Sequence, residues 1–142
     1  MPVCSWKGRG VSFTAFGPIY KATAALLPEK MDTPEAKAML MAIAMQESRW
    51  DERRQIGGPA RGFWQFEFGG IKGVLNHKAS KPLITSVLDR LDYDHSPDTS
   101  YVAIEHNDVL AVVYARLLLW TLPGKLPGRD ETRAAWEQYL SA

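Results

Sequence analysis

The sequence predicts a mainly α-helical protein of one domain spanning residues 1–142, with a central buried helix and one short extended or hairpin segment. Three observations carry that expectation. Residues 36–45 are almost wholly apolar, rich in Ala and Met, and stand directly behind Thr33-Pro34-Glu35. A second strongly apolar run starts at Asn107 or Asp108 and continues through Trp120. Only residues 62–68 are aromatic and extended in character, enough for a short hairpin arm.

Taken in order, residues 1–15 read as irregular, and residues 19–27 as a short helix that follows Pro18 and is closed by Pro28. Thr33 is a good N-cap, Pro34 suits the first helical position, and Glu35 complements the positive end of the helix dipole. The Ala and Met content of the run behind them favours helix over strand. A helix apolar nearly all round belongs at the centre of a fold, packed on several sides. It runs out at Arg49 and Trp50, and a polar loop with Gly57, Gly58 and Pro59 follows. Gly69, Gly70 and Gly73 leave the stretch up to His77 unassigned. Ser80 reads as the cap of a helix over residues 82–91, and residues 92–98 as a polar turn. The second apolar helix stops near Pro123, and Asp130 caps a last helix with Trp136, Tyr139 and Leu140 on one face.

Composition narrows the function classes. With 142 residues, 46% of them hydrophobic, the chain can bury a core without covalent staples. Seventeen basic and sixteen acidic side chains leave a net charge of +1, which disfavours nucleic acid as the main partner. The single cysteine, Cys4, allows neither an internal disulfide nor a thiolate zinc site. His77, His95 and His106 follow no metal spacing, so no cofactor or metal is expected. The glycines at 69, 70 and 73 lack the Lys-Ser/Thr of a phosphate loop, and no Gly-x-Ser-x-Gly elbow occurs. No apolar run reaches the roughly 18 residues of a membrane span. Lys7 and Arg9 are followed by Ser, Thr, Gly and Pro rather than an apolar stretch, so synthesis in the cytoplasm without a signal peptide is expected.

Glu47 is the residue to explain. Ala36, Leu40, Ile43 and Glu47 are spaced by four, three and four, which puts a carboxylate at the end of an apolar stripe. Burial there, and the negative end of the helix dipole, would both favour the protonated acid. A carboxylic acid held protonated near neutral pH is what cleavage of a glycosidic bond requires. The alternative is a carboxylate turned to solvent and paired with Arg49, Arg53 or Arg54.

The neighbours of Glu47 read Gln46-Glu47-Ser48-Arg49-Trp50-Asp51, then Gly58-Pro59-Ala60-Arg61-Gly62-Phe63-Trp64-Gln65-Phe66. Over residues 36–67 this resembles the lysozyme-like superfamily, and within it the soluble lytic transglycosylases. There a catalytic Glu followed by Ser closes a central helix, and a Gly-x-x-Gln segment follows about fifteen residues later. The resemblance implies that Glu47 is the acid/base, that Ser48 supports the site, and that Gln65 with residues 62–66 lines a glycan groove. The implied substrate is peptidoglycan, at the β-1,4 bond between its amino sugars. The family's later Ala-x-Tyr-Asn-Ala-Gly segment is matched only by Ala111-Val112-Val113-Tyr114-Ala115-Arg116, which keeps Tyr114 and lacks the Asn and Gly. A small domain of this kind without a signal peptide looks like a phage endolysin or virion-associated muralytic protein, a monomer that reaches the cell wall at lysis or on the particle.

Trp50, Phe63 and Trp64 flank the same loop and read either as sugar-stacking faces, Trp64 above all, or as plain core. Arg49, Arg53, Arg54 and Arg61 either attract the carboxylates of stem peptides or form a solvated surface. A hydrolase normally needs a second carboxylate, for which Asp51, Glu52 and Glu67 are the candidates. Glu67 lies two residues after Gln65, on the same side of an extended strand. The expected reaction is lytic transglycosylation by Glu47 alone. Hydrolysis by Glu47 with Glu67, and a non-catalytic virion or glycan-binding protein of the same fold, stand as alternatives.

Overall fold

A computed structural model describes residues 13–142, so Cys4, Lys7 and Arg9 lie outside the described residues. The helices, in chain order, are α1 (Phe13–Ala24), α2 (Pro34–Ser48), α3 (Phe68–Asn76), α4 (Lys81–Arg90), α5 (Pro97–Ala103), α6 (Asp108–Thr121) and α7 (Thr132–Ser141). A 3-10 turn, Glu29–Met31, leads into α2. The fold is mainly α. Its only β pairing among the described residues is two isolated bridges, Arg54 with Arg61 and Arg61 with Phe66. No helix among them is long and apolar enough to cross a membrane.

The central helix is α6, not α2. Nine of its residues, from Leu110 to Leu119, are buried, and it packs against α1, α2, α3 and α4. Asn107 caps it by accepting the Leu110 N–H at 3.0 Å. Helix α2 begins as expected, with Thr33 accepting the Ala36 N–H at 3.1 Å. Yet it buries one face only: Ala36, Met39, Leu40, Ala44 and Ser48 are inside, while Lys37, Ala42 and Gln46 are exposed. It stops where Arg49 and then Trp50 enter the left-handed region, with φ of 53° and 59°.

Three elements differ from expectation. Helix α1 runs through Pro18 instead of starting after it. Phe16 and Tyr20, one turn apart, are both buried, and Phe16 meets Trp50 at 5.1 Å and Trp64 at 6.3 Å between ring centroids. That packing outweighs the backbone hydrogen bond the proline removes. Residues 62–68 are not an extended arm. Arg61 and Phe66 exchange both backbone hydrogen bonds at 2.9 Å and close a tight turn, with Gln65 left-handed at φ 51°. Gly62 is needed in it: at φ 73° an added Cβ would lie 2.8 Å from the Ile104 carbonyl oxygen. Residues 97–103, expected as a turn and its sequel, form α5, capped by Ser96 through the Asp98 N–H. Two caps also shift. Ser80 donates to the Val74 carbonyl at 2.6 Å instead of capping α4, and Glu131 rather than Asp130 precedes α7.

Burial makes the fold alkali-sensitive. Desolvation pushes the Tyr114 phenol up from 10.0 to about 12. A group whose folded pKa is raised stabilises fully below its unfolded value and loses that contribution as pH rises through the folded one. Melting temperature should therefore fall between about pH 10 and pH 12, with Tyr114 contributing on the order of 3 kcal/mol. Circular dichroism melts across that range should show a shallower decline for Tyr114→Phe. An equally steep decline in the variant would assign the loss to other groups.

Candidate active site

The candidate site forms where the end of α2 meets the turn after it. A pocket of about 360 Å³ is lined by Glu47 and Ile43 of α2, Gln65 and Glu67, Leu118 and Leu119 of α6, and Tyr139 of α7, among others. Glu47 is at its rim and is exposed, contrary to the expectation of burial. The buried row of α2 runs Ala36, Leu40, Ala44 and Ser48, in steps of four throughout. That row leaves Ile43 half-buried and sets Glu47 one position off the buried face.

Glu47 has one partner from far along the chain. The Tyr139 hydroxyl donates to Glu47 Oε1 at 2.7 Å, across 92 positions of sequence. That hydrogen bond, then burial, pushes the Tyr139 phenol up to about 12, so it stays a donor through neutral and mildly alkaline pH. The pattern of the last helix puts Tyr139 on an apolar face beside Trp136 and Leu140. The phenol oxygen was the signal that this face also carries a polar contact.

Gln65 reaches the pocket, but its amide nitrogen is already in use, donating to the Gly62 carbonyl at 2.7 Å and so closing its own turn. Glu67, exposed, stands at the N-cap position of α3. Of the three rival carboxylates, Glu67 shares the pocket with Glu47, while Asp51 and Glu52 do not line it. Ser48 is buried, donating to the Ala44 carbonyl at 3.1 Å and accepting the Trp50 N–H at 3.2 Å. It fastens the end of the helix that carries Glu47.

The aromatic candidates are core. Phe63 and Tyr114 are 0% exposed, and neither lines the pocket. Tyr114 donates to the Ser100 hydroxyl at 2.6 Å. Trp64 is 4% exposed, its indole N–H bonded to the Leu40 carbonyl at 2.9 Å and its ring set edge-on to Trp50 at 5.2 Å. It underlies the pocket without offering a free face for a sugar ring. These rings interlock because each fills space left by the others, a choice that side-chain type alone does not reveal.

The arginines divide similarly. Arg53 makes a two-pronged pair with Asp108, at 2.9 Å for Nη2. Arg54 pairs with Glu105 at 2.6 Å, and its guanidinium holds the Glu105 carboxyl below the usual range. Arg61 donates to the Gly58 and Ala60 carbonyls at 3.1 and 3.0 Å. These three tie the loop to Asp108 of α6, to Glu105 just before it and to the loop itself. No group of three or more His, Cys, Asp or Glu able to hold a metal occurs among the described residues.

No protein-family model, curated protein or solved structure matches the chain.

Proposed function

We propose that the protein cleaves the glycan strands of peptidoglycan at the β-1,4 bond between amino sugars, with Glu47 as general acid and then base. One observation supports this most: the end of α2 and the turn after it deliver Glu47, Gln65 and Glu67 to a single pocket. Glu47 and Gln65 are residues that the resemblance to soluble lytic transglycosylases nominates. Tyr139 engages Glu47 Oε1, which leaves Oε2 for the glycosidic oxygen.

In the transglycosylase reaction Glu47 donates its proton to the leaving oxygen as the C1–O bond breaks. The substrate's own 6-hydroxyl attacks C1 and returns a proton to the Glu47 carboxylate. The product carries a 1,6-anhydro ring, no water is consumed, and the enzyme ends in its starting state. Glu47 is exposed in the free protein, and a glycan bound over the pocket would exclude water from it.

Glu67 supports a second reading. A carboxylate in the same pocket can serve as the nucleophile or base of a hydrolase, at about 5–5.5 Å from the acid for retention and 6.5–9.5 Å for inversion. Mass spectrometry of a defined peptidoglycan digest in ¹⁸O-water separates the two. Transglycosylation gives anhydro ends without label, and Glu67→Gln then keeps most of its activity. Labelled reducing ends, with Glu67→Gln as inactive as Glu47→Gln, would make the enzyme a lysozyme. A virion or glycan-binding role for the same fold is left if neither product forms and binding to walls persists.

A further inference from the structure

At the opposite end of α2 the structure holds a buried cation without a counter-ion. Arg116, on α6, is 5% exposed. Its Nε donates to the Met31 carbonyl at 3.1 Å, and its guanidinium stands 5.6 Å from the centre of the Trp120 ring. No carboxylate lies within 4.0 Å of it among the described residues, and residues 1–12 contain no Asp or Glu to supply one. Its two Nη groups donate to no protein atom among the described residues. Buried charges are ordinarily paired, because removal from water penalises an isolated one heavily. Burial accordingly pulls the guanidinium below its usual range.

Arg116 lines a second pocket of about 580 Å³, between the start of α2, the end of α6 and the connection to α7. Thr33 places the positive end of the α2 dipole at its wall. Trp120, Leu122 and Leu126 supply apolar surface. Lys125, Glu35 and Glu131 also line it, and among the described residues neither carboxylate has a Lys, Arg or His nitrogen within 4.0 Å. The two carboxylates suit an ammonium group, and the Arg116 guanidinium and Lys125 balance them and suit a carboxylate. Two cations, one of them a buried guanidinium, two acceptors for a cation and an apolar wall match a zwitterion with an apolar substituent.

We propose that this pocket binds a free amino acid with an apolar side chain, with its carboxylate on Arg116 and its ammonium on Glu35 or Glu131. The pocket lies about 18 Å along α2 from Glu47, counting 1.5 Å per residue, so this proposal is independent of the glycan-cleaving one. Calorimetric titration of the full chain at pH 7 with leucine, N-acetyl-leucine, leucinamide and inorganic phosphate tests it. Leucine should saturate one site with a millimolar or tighter Kd. Leucinamide and N-acetyl-leucine, each lacking one charge, should bind at least tenfold more weakly, and phosphate should not compete. Arg116→Lys should lose the site. Since that substitution also disturbs the core, the double variant Glu35→Gln with Glu131→Gln provides a second arm: it should weaken leucine at least tenfold and leave N-acetyl-leucine unchanged. No saturable leucine binding, or equal binding of leucine and leucinamide, would overturn the proposal and leave Arg116 a hydrated structural cation.

Discussion

Glu47→Gln is expected to lower cell-wall cleavage by about 10²–10⁴-fold, the usual contribution of a positioned general acid. The fold should be almost unaffected. Glu47 is exposed, and an amide oxygen can still accept the Tyr139 hydroxyl in place of the carboxylate, so a stability change within about 0.5 kcal/mol is anticipated. Turbidity clearing of purified walls, read beside a thermal melt of the same sample, checks both halves. A variant that clears walls at the wild-type rate removes Glu47 from the reaction. A variant that is inactive because it has melted would instead show that the end of α2 depends on this carboxylate for its structure. The geometry argues against the second outcome: Ser48 and the left-handed Arg49 and Trp50, not Glu47, terminate the helix.

Helices α2 and α6 were legible from a cap and a long apolar run behind it, and α4 and α7 were legible although neither has a side-chain cap. Thr33-Pro34-Glu35 and Asn107 each act as their side chains foretell. Ser96-Pro97-Asp98 repeats the same cap, proline and acid order, and it starts α5. It is hard to read because the residues around it are polar and the helix has only seven residues, too few for a periodic stripe. Helix α3 was hidden by Gly69, Gly70 and Gly73, whose helical cost is met by burial of Ile71, Val74 and Leu75.

For the site, the sequence located the segment but not the exposure of its residues. On α2 the rows Ala36–Leu40–Ile43–Glu47 and Ala36–Leu40–Ala44–Ser48 both satisfy helical spacing. What selects the second is tertiary packing, which takes Ala44 and Ser48 inside and leaves Ile43 half-buried and Glu47 exposed. Tyr139 shows the same limit from the other direction. Its contact with Glu47 spans most of the chain, and no local pattern encodes a partner at that separation.

Trp64→Ala should separate the two roles considered for the aromatic residues. A groove residue, when truncated, raises KM and spares the fold. Trp64 is buried, and its removal leaves a cavity between α2 and the turn at residues 61–66, beside Trp50 and Phe16. It also leaves the Leu40 carbonyl without the indole donor. A loss of about 3–5 kcal/mol is expected, the range for deleting a large aromatic from a core. For a domain of this size that lowers the melting temperature by roughly 10–20 °C. Trp64→Phe keeps most of the ring volume while losing the hydrogen bond, and should cost roughly 1–3 kcal/mol. Thermal denaturation of both variants, with wall clearing measured well below their melting temperatures, distinguishes the cases. If Trp64→Ala melts with the wild type yet fails to cleave, the indole face belongs to the glycan and the buried arrangement must open in solution. The rings of Phe16, Trp50 and Trp64 meet one another, and Trp50 also meets Phe63, so the opposite result is the expected one, because moving Trp64 empties space beside Phe16 and Trp50.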